Sequence, residues 1–561
     1  MAVTSSLYNA RLLAKVLKAH GCEHLVVAPG SRNAPLIQAC TAENFKTYSV
    51  PDERAAAFTA MGMALENSKP AAVICTSGSA AANFLPAVTE AYFQKVPLVV
   101  ITADRPKEWI GQGAGQTIIQ EGIFGAHILG EANLLREPQD SLAEAYNLRI
   151  CQEALLHINK GPVHINVPFD EPLYNQYEGE SEDFRIIRRP STERHLRESD
   201  FEELKAVYAS AERPILLIGQ MPPLPRLHQA LKRLMEKRPF LLLSETLSNL
   251  GDLAGVHSID RFLNTLSEAE KKAFKPDLLI SLGGEVVSKM IKAHFRDLDY
   301  FPHWHFTEDE AFKDTFHKLS LNLDCDATWF FEKLAQEVDS AENEWVEESL
   351  KLEKQKREGH LEFYEQAPFS DFKAFGRILE ELPDNSILHC ANSASIRYAQ
   401  LFDYKNGLAH YANRGTSGID GSTSTAIGHA LTTNKTVSLI SGDIAFMYDN
   451  AAFWNDSLPA NLKIIVLNNG GGNIFRIIKG PDQIEGFERF QETAHQLNLK
   501  AIADLYSLEY LFADSEETLN KALKQLYKGP GLGILEVKTP RIESPQVLKD
   551  YWHYLKEKHA L

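Results

Sequence analysis

Short apolar runs recur along the chain, each closed by a turn signal and followed by a helix-like stretch. In the first third they are His24–Ala28, Ala71–Cys75, Val96–Thr102 and Val163–Val167. Runs this short, rich in valine and isoleucine and lacking polar alternation, suit strands buried on both faces of a parallel sheet. The segments between them, such as Ala55–Leu65 and Ala80–Phe93, are alanine-rich and long enough for crossover helices. The pattern restarts at Pro214–Gly219, Phe240–Ser244 and Leu278–Leu282, and again at Ile387–Cys390, Val437–Ile440, Ile464–Leu467 and Gly533–Val537. Tyr177–Arg194 is charged and aperiodic, and reads as a linker. The Glu- and Lys-dominated stretch Ala341–Gln366 reads as a solvated helix bridging domains. The prediction is an α/β chain of three consecutive doubly wound parallel-sheet domains, over residues 1–185, 195–345 and 365–561.

Composition narrows the function classes. The 561 residues suit three domains of ordinary size. A net charge of −17 argues against nucleic-acid and membrane-surface partners, which need a cationic face. Six scattered cysteines without a C-x-x-C pair read as buried thiols in a reducing compartment. No apolar run approaches the ~18 residues of a membrane span, so no membrane insertion and a cytoplasmic protein are expected.

In open parallel sheets, ligands bind beyond the carboxyl ends of the strands. Val437–Ile440 runs into Ser441-Gly442-Asp443, and Ile464–Leu467 into Asn468-Asn469-Gly470-Gly471-Gly472. Asp443 and Asn469 stand 26 residues apart, one crossover helix plus one strand, so both loops should meet at one sheet edge. A carboxylate, an amide oxygen and a glycine carbonyl are hard oxygen ligands suited to Mg²⁺ shared with phosphate. Either motif alone is an ordinary turn. Together, at the ends of buried strands, they favour a metal–diphosphate site.

A Gly-Asp pair followed by Asn-Asn at this distance resembles the cofactor motif of thiamine-diphosphate enzymes. The resemblance implies that Asp443, Asn469 and the Gly471 carbonyl hold Mg²⁺ (or Mn²⁺) against the cofactor's diphosphate. The motif usually ends in a third glycine, where this chain has Ile444. In that family a glutamate of the first domain hydrogen-bonds N1′ of the aminopyrimidine and so helps the cofactor lose its C2 proton. Glu53, opening an alanine-rich helix after Tyr48-Ser-Val-Pro-Asp, matches it and should be partly desolvated. On position alone it is a helix N-terminal acid favoured by the dipole.

Four further motifs are similar to one subfamily, the 2-succinyl-5-enolpyruvyl-6-hydroxy-3-cyclohexene-1-carboxylate (SEPHCHC) synthases of menaquinone biosynthesis. They are Ala28-Pro-Gly-Ser-Arg-Asn-Ala-Pro35, Thr102-Ala-Asp-Arg-Pro106, Ala391-Asn-Ser-Ala-Ser-Ile-Arg397 and Asn413-Arg-Gly-Thr-Ser-Gly-Ile-Asp-Gly421. Ile444 fits the same subfamily. The resemblance implies decarboxylation of 2-oxoglutarate and Stetter-like 1,4-addition of the succinyl unit to isochorismate. Both substrates carry two carboxylates, so the pocket needs several cations, and arginine's planar fork suits carboxylates. By resemblance, substrate contacts fall on Ser31, Arg32, Arg105, Gln116, Lys289, Ser393, Arg397 and Arg414. If Asn392 opens a helix, Ser393 and Arg397 share one face. Ile419 matches the residue wedged between the cofactor's rings, and Ile444 and Ile474 its apolar contacts. This chain has Gly115 where the family usually has asparagine, and Met290 where it often has arginine.

His20, His24, His389, His410 and His429 show no metal-ligand spacing and read as structural. The resemblance further implies a homodimer or homotetramer that joins Glu53 of one subunit to Asp443 of another. Two other readings are weighed: a pyruvate-using relative such as acetolactate synthase, which needs fewer cations, and a non-catalytic binding protein of the same fold. Retention of Glu53, Asp443 and Asn469 argues against the second.

Overall fold

The computed structural model describes residues 3–178, 182–190, 192–307, 312–405, 407–478 and 480–558. The first unit carries β1 (Val3–Ser5), β2 (His24–Val27), β3 (Lys46–Ser49), β4 (Ala71–Cys75), β5 (Leu98–Asp104), β6 (Gly130–Asn133), β7 (Val163–Pro168) and β8 (Gln176–Glu178). The middle unit carries β9 (Pro214–Ile218), β10 (Leu241–Ser244), β11 (Leu278–Leu282), β12 (His303–Phe306) and β13 (Leu319–Leu323). The third carries β14 (Ile387–Cys390), β15 (Ala409–Tyr411), β16 (Val437–Gly442), β17 (Leu462–Asn468), β18 (Glu509–Ala513) and β19 (Gly533–Lys538).

The sheets run β3-β2-β4-β5-β7-β6, β10-β9-β11-β12-β13 and β15-β14-β16-β17-β19-β18, every pairing parallel. The α/β class and the three parallel sheets are as expected. The first and third sheets share one connectivity, so each feature after a strand in one has a counterpart in the other. The central strands β4 and β5 are buried at every position, which accounts for their unbroken apolar runs.

The first and third units touch through two such counterparts, the helices Glu53–Leu65 and Ser422–Ala430. The first is N-capped by Asp52, whose Oδ1 accepts the Ala55 N–H at 2.8 Å, and Ala55–Ala64 are all buried. A Cβ added at Gly62 would lie 2.1 Å from the Thr425 carbonyl oxygen, and one at Gly428 1.9 Å from that of Thr59. The two backbones are therefore in direct contact, and only glycine fits the crossing.

Three expectations need correction. Ala80–Phe93 is not one helix but two, Ser79–Ala82 and Leu85–Gln94, because Pro86 offers no N–H and fits only a first turn. The bridging helix, Glu344–Gln366, is not merely solvated: Val346, Glu353, Lys356, His360 and Tyr364 are buried, and Glu353 pairs with the buried Arg261 of the middle unit at 2.5 Å. The first part of the linker packs on the first unit, while Arg194 at its end pairs with Asp324 and through its carbonyl accepts the Asp326 N–H of the middle unit at 2.9 Å. β8 pairs antiparallel with β1, and Gln152 binds Arg185 O at 2.9 Å and the Ile187 N–H at 2.6 Å. Residues 179–181 and 191 of that linker lie outside the described residues.

Candidate functional site

β16 and β17 are parallel neighbours, so the loops leaving their carboxyl ends meet. Asp443, 2% exposed, opens the helix Asp443–Tyr448. Its Oδ1 accepts the Ile444 N–H at 2.7 Å, and its Oδ2 accepts those of Gly470 and Gly471 at 2.8 and 3.1 Å. Gly470 has φ 80°, a left-handed turn that folds its loop over the carboxylate. His495 Nε2 lies 3.3 Å from the same oxygen.

Asn469 donates through Nδ2 to Asp371 at 2.9 Å, while its Oδ1 is buried without a hydrogen-bond partner. Asp371 is held from the other side by Thr539 Oγ1 at 2.5 Å, and burial pushes its carboxyl above the ordinary range. A buried acceptor left without a donor costs about 1–3 kcal/mol. A hard cation would remove that cost. The Asp443 carboxylate, the orphan Asn469 oxygen and the Gly471 carbonyl form an all-oxygen set that fits Mg²⁺. Ile474, buried, begins the next helix turn; Ile444, beside Asp443, is half-buried, as is Ile419 in the loop before the helix Ser422–Ala430.

The predicted substrate residues fall into two groups. The first surrounds the carboxyl ends of β2, β4 and β5. A Cβ on Gly30 would lie 2.4 Å from Thr76 Cβ, so glycine lets the turn after β2 touch the loop after β4. Arg32 is buried, its N–H donating to Thr76 Oγ1 at 3.2 Å and its guanidinium to Phe169 O and Glu171, both at 3.2 Å. Burial and the neighbouring Arg105 both lower its pKa. Arg105 keeps a buried Nε without a partner. Ser31 is exposed, as is Gln116, which has φ 56° and approaches Gly78.

The second group lies between the middle and third units. Arg414 donates to Asn392 Oδ1 at 3.0 Å, and Asn392 Nδ2 donates to Asn413 O and Gly418 O, both at 2.6 Å. Burial and Arg397 lower the Arg414 pKa, while Glu245 opposes them. Lys289, exposed, is the first residue of the helix Lys289–Asp297. One local expectation fails here: the helix starts at Ala394, not Asn392, and Ser393 precedes it with φ 72°. Ser393 and Arg397 thus do not share a helical face.

Glu53 is half-buried, with Asn83 Nδ2 at 3.5 Å from its Oε2. Among the described residues it has no hydrogen bond to the loops of Asp443 or Asn469. Its neighbour Arg54 ties the helix start to the Tyr448 carbonyl at 2.8 Å. The histidines are structural where they are buried: His389 Nε2 meets His429 Nδ1 at 2.9 Å, and His429 Nε2 meets Glu66 at 3.1 Å. A middle-unit cavity of about 30 Å³ is lined by Ser281, His303, His305, Lys292 and Lys313. Glu285 already pairs with both lysines, and burial pushes both imidazoles down to about 4, leaving them neutral at pH 7.

The family model described as "Thiamine pyrophosphate enzyme, N-terminal TPP binding domain" matches residues 9–123, and its C-terminal counterpart matches 392–537. A 2-succinyl-5-enolpyruvyl-6-hydroxy-3-cyclohexene-1-carboxylate synthase of Flavobacterium johnsoniae is 40% identical over 97% of this chain and 98% of its own. Those of Christiangramia forsetii and Porphyromonas gingivalis are 39% and 37% identical, over 98% and 97% of this chain and 98% and 96% of theirs. The chain belongs to this synthase family.

The matched N-terminal span holds the first cation group and Glu53; the C-terminal span holds Arg414 and the loops of Asp443 and Asn469. Several supporting residues of this synthase-family chain escaped sequence reasoning. Glu90 is 1% exposed and accepts the N–H groups of Gly415 and Thr416, both at 2.7 Å, so the first unit anchors the loop of Arg414 and Ile419. Asp371 and Asn392 play similar parts toward Asn469 and Arg414. Their only sequence signal is a polar residue beside an apolar run, which many caps share.

Proposed function

We propose that this chain catalyses thiamine-diphosphate-dependent decarboxylation of 2-oxoglutarate and 1,4-addition of the succinyl unit to isochorismate, giving SEPHCHC in menaquinone biosynthesis. Full-length likeness to synthases of that name carries the reading, and the orphan Asn469 oxygen beside Asp443 supports its cofactor site. Bound thiamine diphosphate supplies the carbon nucleophile and electron sink for decarboxylation and carbon–carbon bond formation.

The chain's own residues supply position and charge. Asp443, Asn469 and Gly471 would hold Mg²⁺ or Mn²⁺ and with it the cofactor's diphosphate, and Glu53 would hydrogen-bond the pyrimidine. Ile419, Ile444 and Ile474 give apolar contacts. Arg32, Arg105, Lys289, Arg397 and Arg414 bind substrate carboxylates, with Ser31, Gln116 and Ser393 as neutral donors. That many cations suit two dicarboxylates better than pyruvate. The likeness to the thiamine-diphosphate enzymes supports a shared working site, with Glu53 of one subunit joined to Asp443 of another in a homodimer or homotetramer. The exposed Leu85, Phe93, Trp109 and Ile119 of the first unit suit such an interface. Six buried, unpaired thiols suit a cytoplasmic setting.

The test is incubation with thiamine diphosphate, Mg²⁺, 2-oxoglutarate and isochorismate, following isochorismate loss and product mass. The expected result is CO₂ release and a product of the adduct's mass. Equal use of pyruvate, or no decarboxylation of 2-oxoglutarate, overturns the proposal.

A further inference from the structure

One loop joins the middle and third units and touches two elements that carry cations. After β10, Thr246 N–H donates to Gln400 Oε1 at 3.1 Å, and Gln400 Nε2 donates to Thr246 Oγ1 at 2.7 Å. Asn249 donates to His410 O at 3.1 Å and accepts the His410 N–H at 2.8 Å. Gln400 directly follows the helix Ala394–Ala399 that bears Arg397.

The same loop holds the Lys289 helix from its other side. The Glu245 carboxylate, 4% exposed, accepts the Val287 and Ser288 N–H groups at 2.6 and 2.7 Å. Ser288 caps that helix by accepting the Ile291 N–H at 3.1 Å, and its hydroxyl donates to Asp260. Adjacent residues of one loop thus set where Lys289 begins and where the Arg397 helix ends.

The charges follow the same division. Glu245 faces Arg414 and Asp260 faces Arg397, while the two guanidiniums repel each other. Among the described residues, neither carboxylate forms an ion pair with these arginines, and no hydrogen bond engages the Arg397 guanidinium. Carboxylates at this remove offset the repulsion without taking up the Arg397 guanidinium, while Arg414 is held by Asn392 Oδ1 at 3.0 Å.

We infer that Glu245 and Asp260 are positioning residues of the substrate-carboxylate site: they hold Lys289 against Arg397 and Arg414 as one cluster for a dicarboxylate. The inference rests on the function proposed above. In Glu245→Gln, an amide replaces one acceptor oxygen, so one of the two N–H groups meets a donor and, in an assay run above pH 7, the carboxylate charge is lost. With the Mg²⁺–thiamine-diphosphate holoenzyme, KM for one dicarboxylate substrate should rise about tenfold, while kcat falls less than about threefold. Cofactor affinity, read by intrinsic tryptophan fluorescence, should be unchanged.

Asp260→Asn should raise the same KM in the same direction, and it carries the test alone if Glu245→Gln does not fold. Unchanged KM values overturn the inference, and so does a parallel loss of kcat, cofactor affinity and thermal stability, the mark of a merely structural role. A wild-type enzyme inactive toward 2-oxoglutarate would instead defeat the functional reading.

Discussion

Glu90→Gln isolates how the first unit supports the third. The wild-type carboxylate is saturated: Oε1 takes Gly415 N–H at 2.7 Å and the Gln94 amide, and Oε2 takes Thr416 N–H at 2.7 Å and Thr416 Oγ1 at 2.5 Å. The two backbones touch here, since a Cβ on Gly415 would lie 2.6 Å from the Glu90 carbonyl oxygen. The amide keeps the shape, but its NH₂ faces one of the two backbone N–H groups whichever way it turns. Each hydrogen bond to a charged group contributes about 1.5–3 kcal/mol, and a stranded buried donor costs a similar amount, so the loss should be about 3–5 kcal/mol. Urea unfolding followed by circular dichroism measures it, and kcat/KM should fall at least about tenfold because this loop bears Arg414 and Ile419. The control is the same change at Glu121, whose exposed pair with Lys107 at 2.8 Å should be worth less than about 1 kcal/mol. A Glu90→Gln variant within about 1 kcal/mol of wild type, with unchanged kcat/KM, would refute the assigned role of this carboxylate.

Two further outcomes follow from packing and from protons. Gly428→Ala should destabilise by roughly 2–4 kcal/mol, because its Cβ lands 1.9 Å from the Thr59 carbonyl and the two helices must part; Gly115→Ala, with open space around it, should leave the unfolding midpoint unchanged. Burial holds His303 and His305 down at about 4 and His360 and His410 at about 3, so these imidazoles stay neutral when folded but take up protons once unfolded. Stability should therefore be present above about pH 6.5 and be lost as pH falls toward 4, each group contributing up to about 1.4 kcal/mol per pH unit. Glu245, pushed up to about 7, and Asp449, up to about 6, act oppositely by binding protons in the folded state, as do Asp104, Glu137, Asp260, Glu353 and Asp371, also raised by burial. His24, His257, His294 and His389, also lowered by burial, together with the lowered carboxyls of Glu66, Glu131 and Asp403, tip the balance the other way. A urea midpoint that is flat or rising between pH 6.5 and 4 contradicts the balance.

The fold was legible where burial was complete. Central strands such as β4, β5 and β17 bury every residue, so their apolar runs stand out in the chain. The edge strands β3, β6, β13, β15 and β18 are partly exposed and polar, and their runs carry no such signal. β12 hides for another reason: its buried His303 and His305 each hydrogen-bond Ser281 of the neighbouring strand through one ring nitrogen, a pairing visible only in three dimensions. The meeting of the Asp443 and Asn469 loops was legible because both follow strands that run side by side. Ser393 was misplaced because a left-handed residue delays the helix, and nothing in Ala391-Asn-Ser-Ala requires that.

By itself the sequence determined the α/β class, the parallel sheets and the placement of the candidate oxygen ligands Asp443 and Asn469 after β16 and β17, since periodicity and spacing along one chain encode them. It also supplied the motifs that mark the synthase family. Tertiary structure alone decided what stands behind those ligands. Asp371 orients Asn469 across 98 positions, Glu90 anchors the Arg414 loop across 325, and Glu245 fixes the start of the Lys289 helix across 42. A buried carboxylate is defined by the N–H groups that fold around it, and those come from segments remote in sequence.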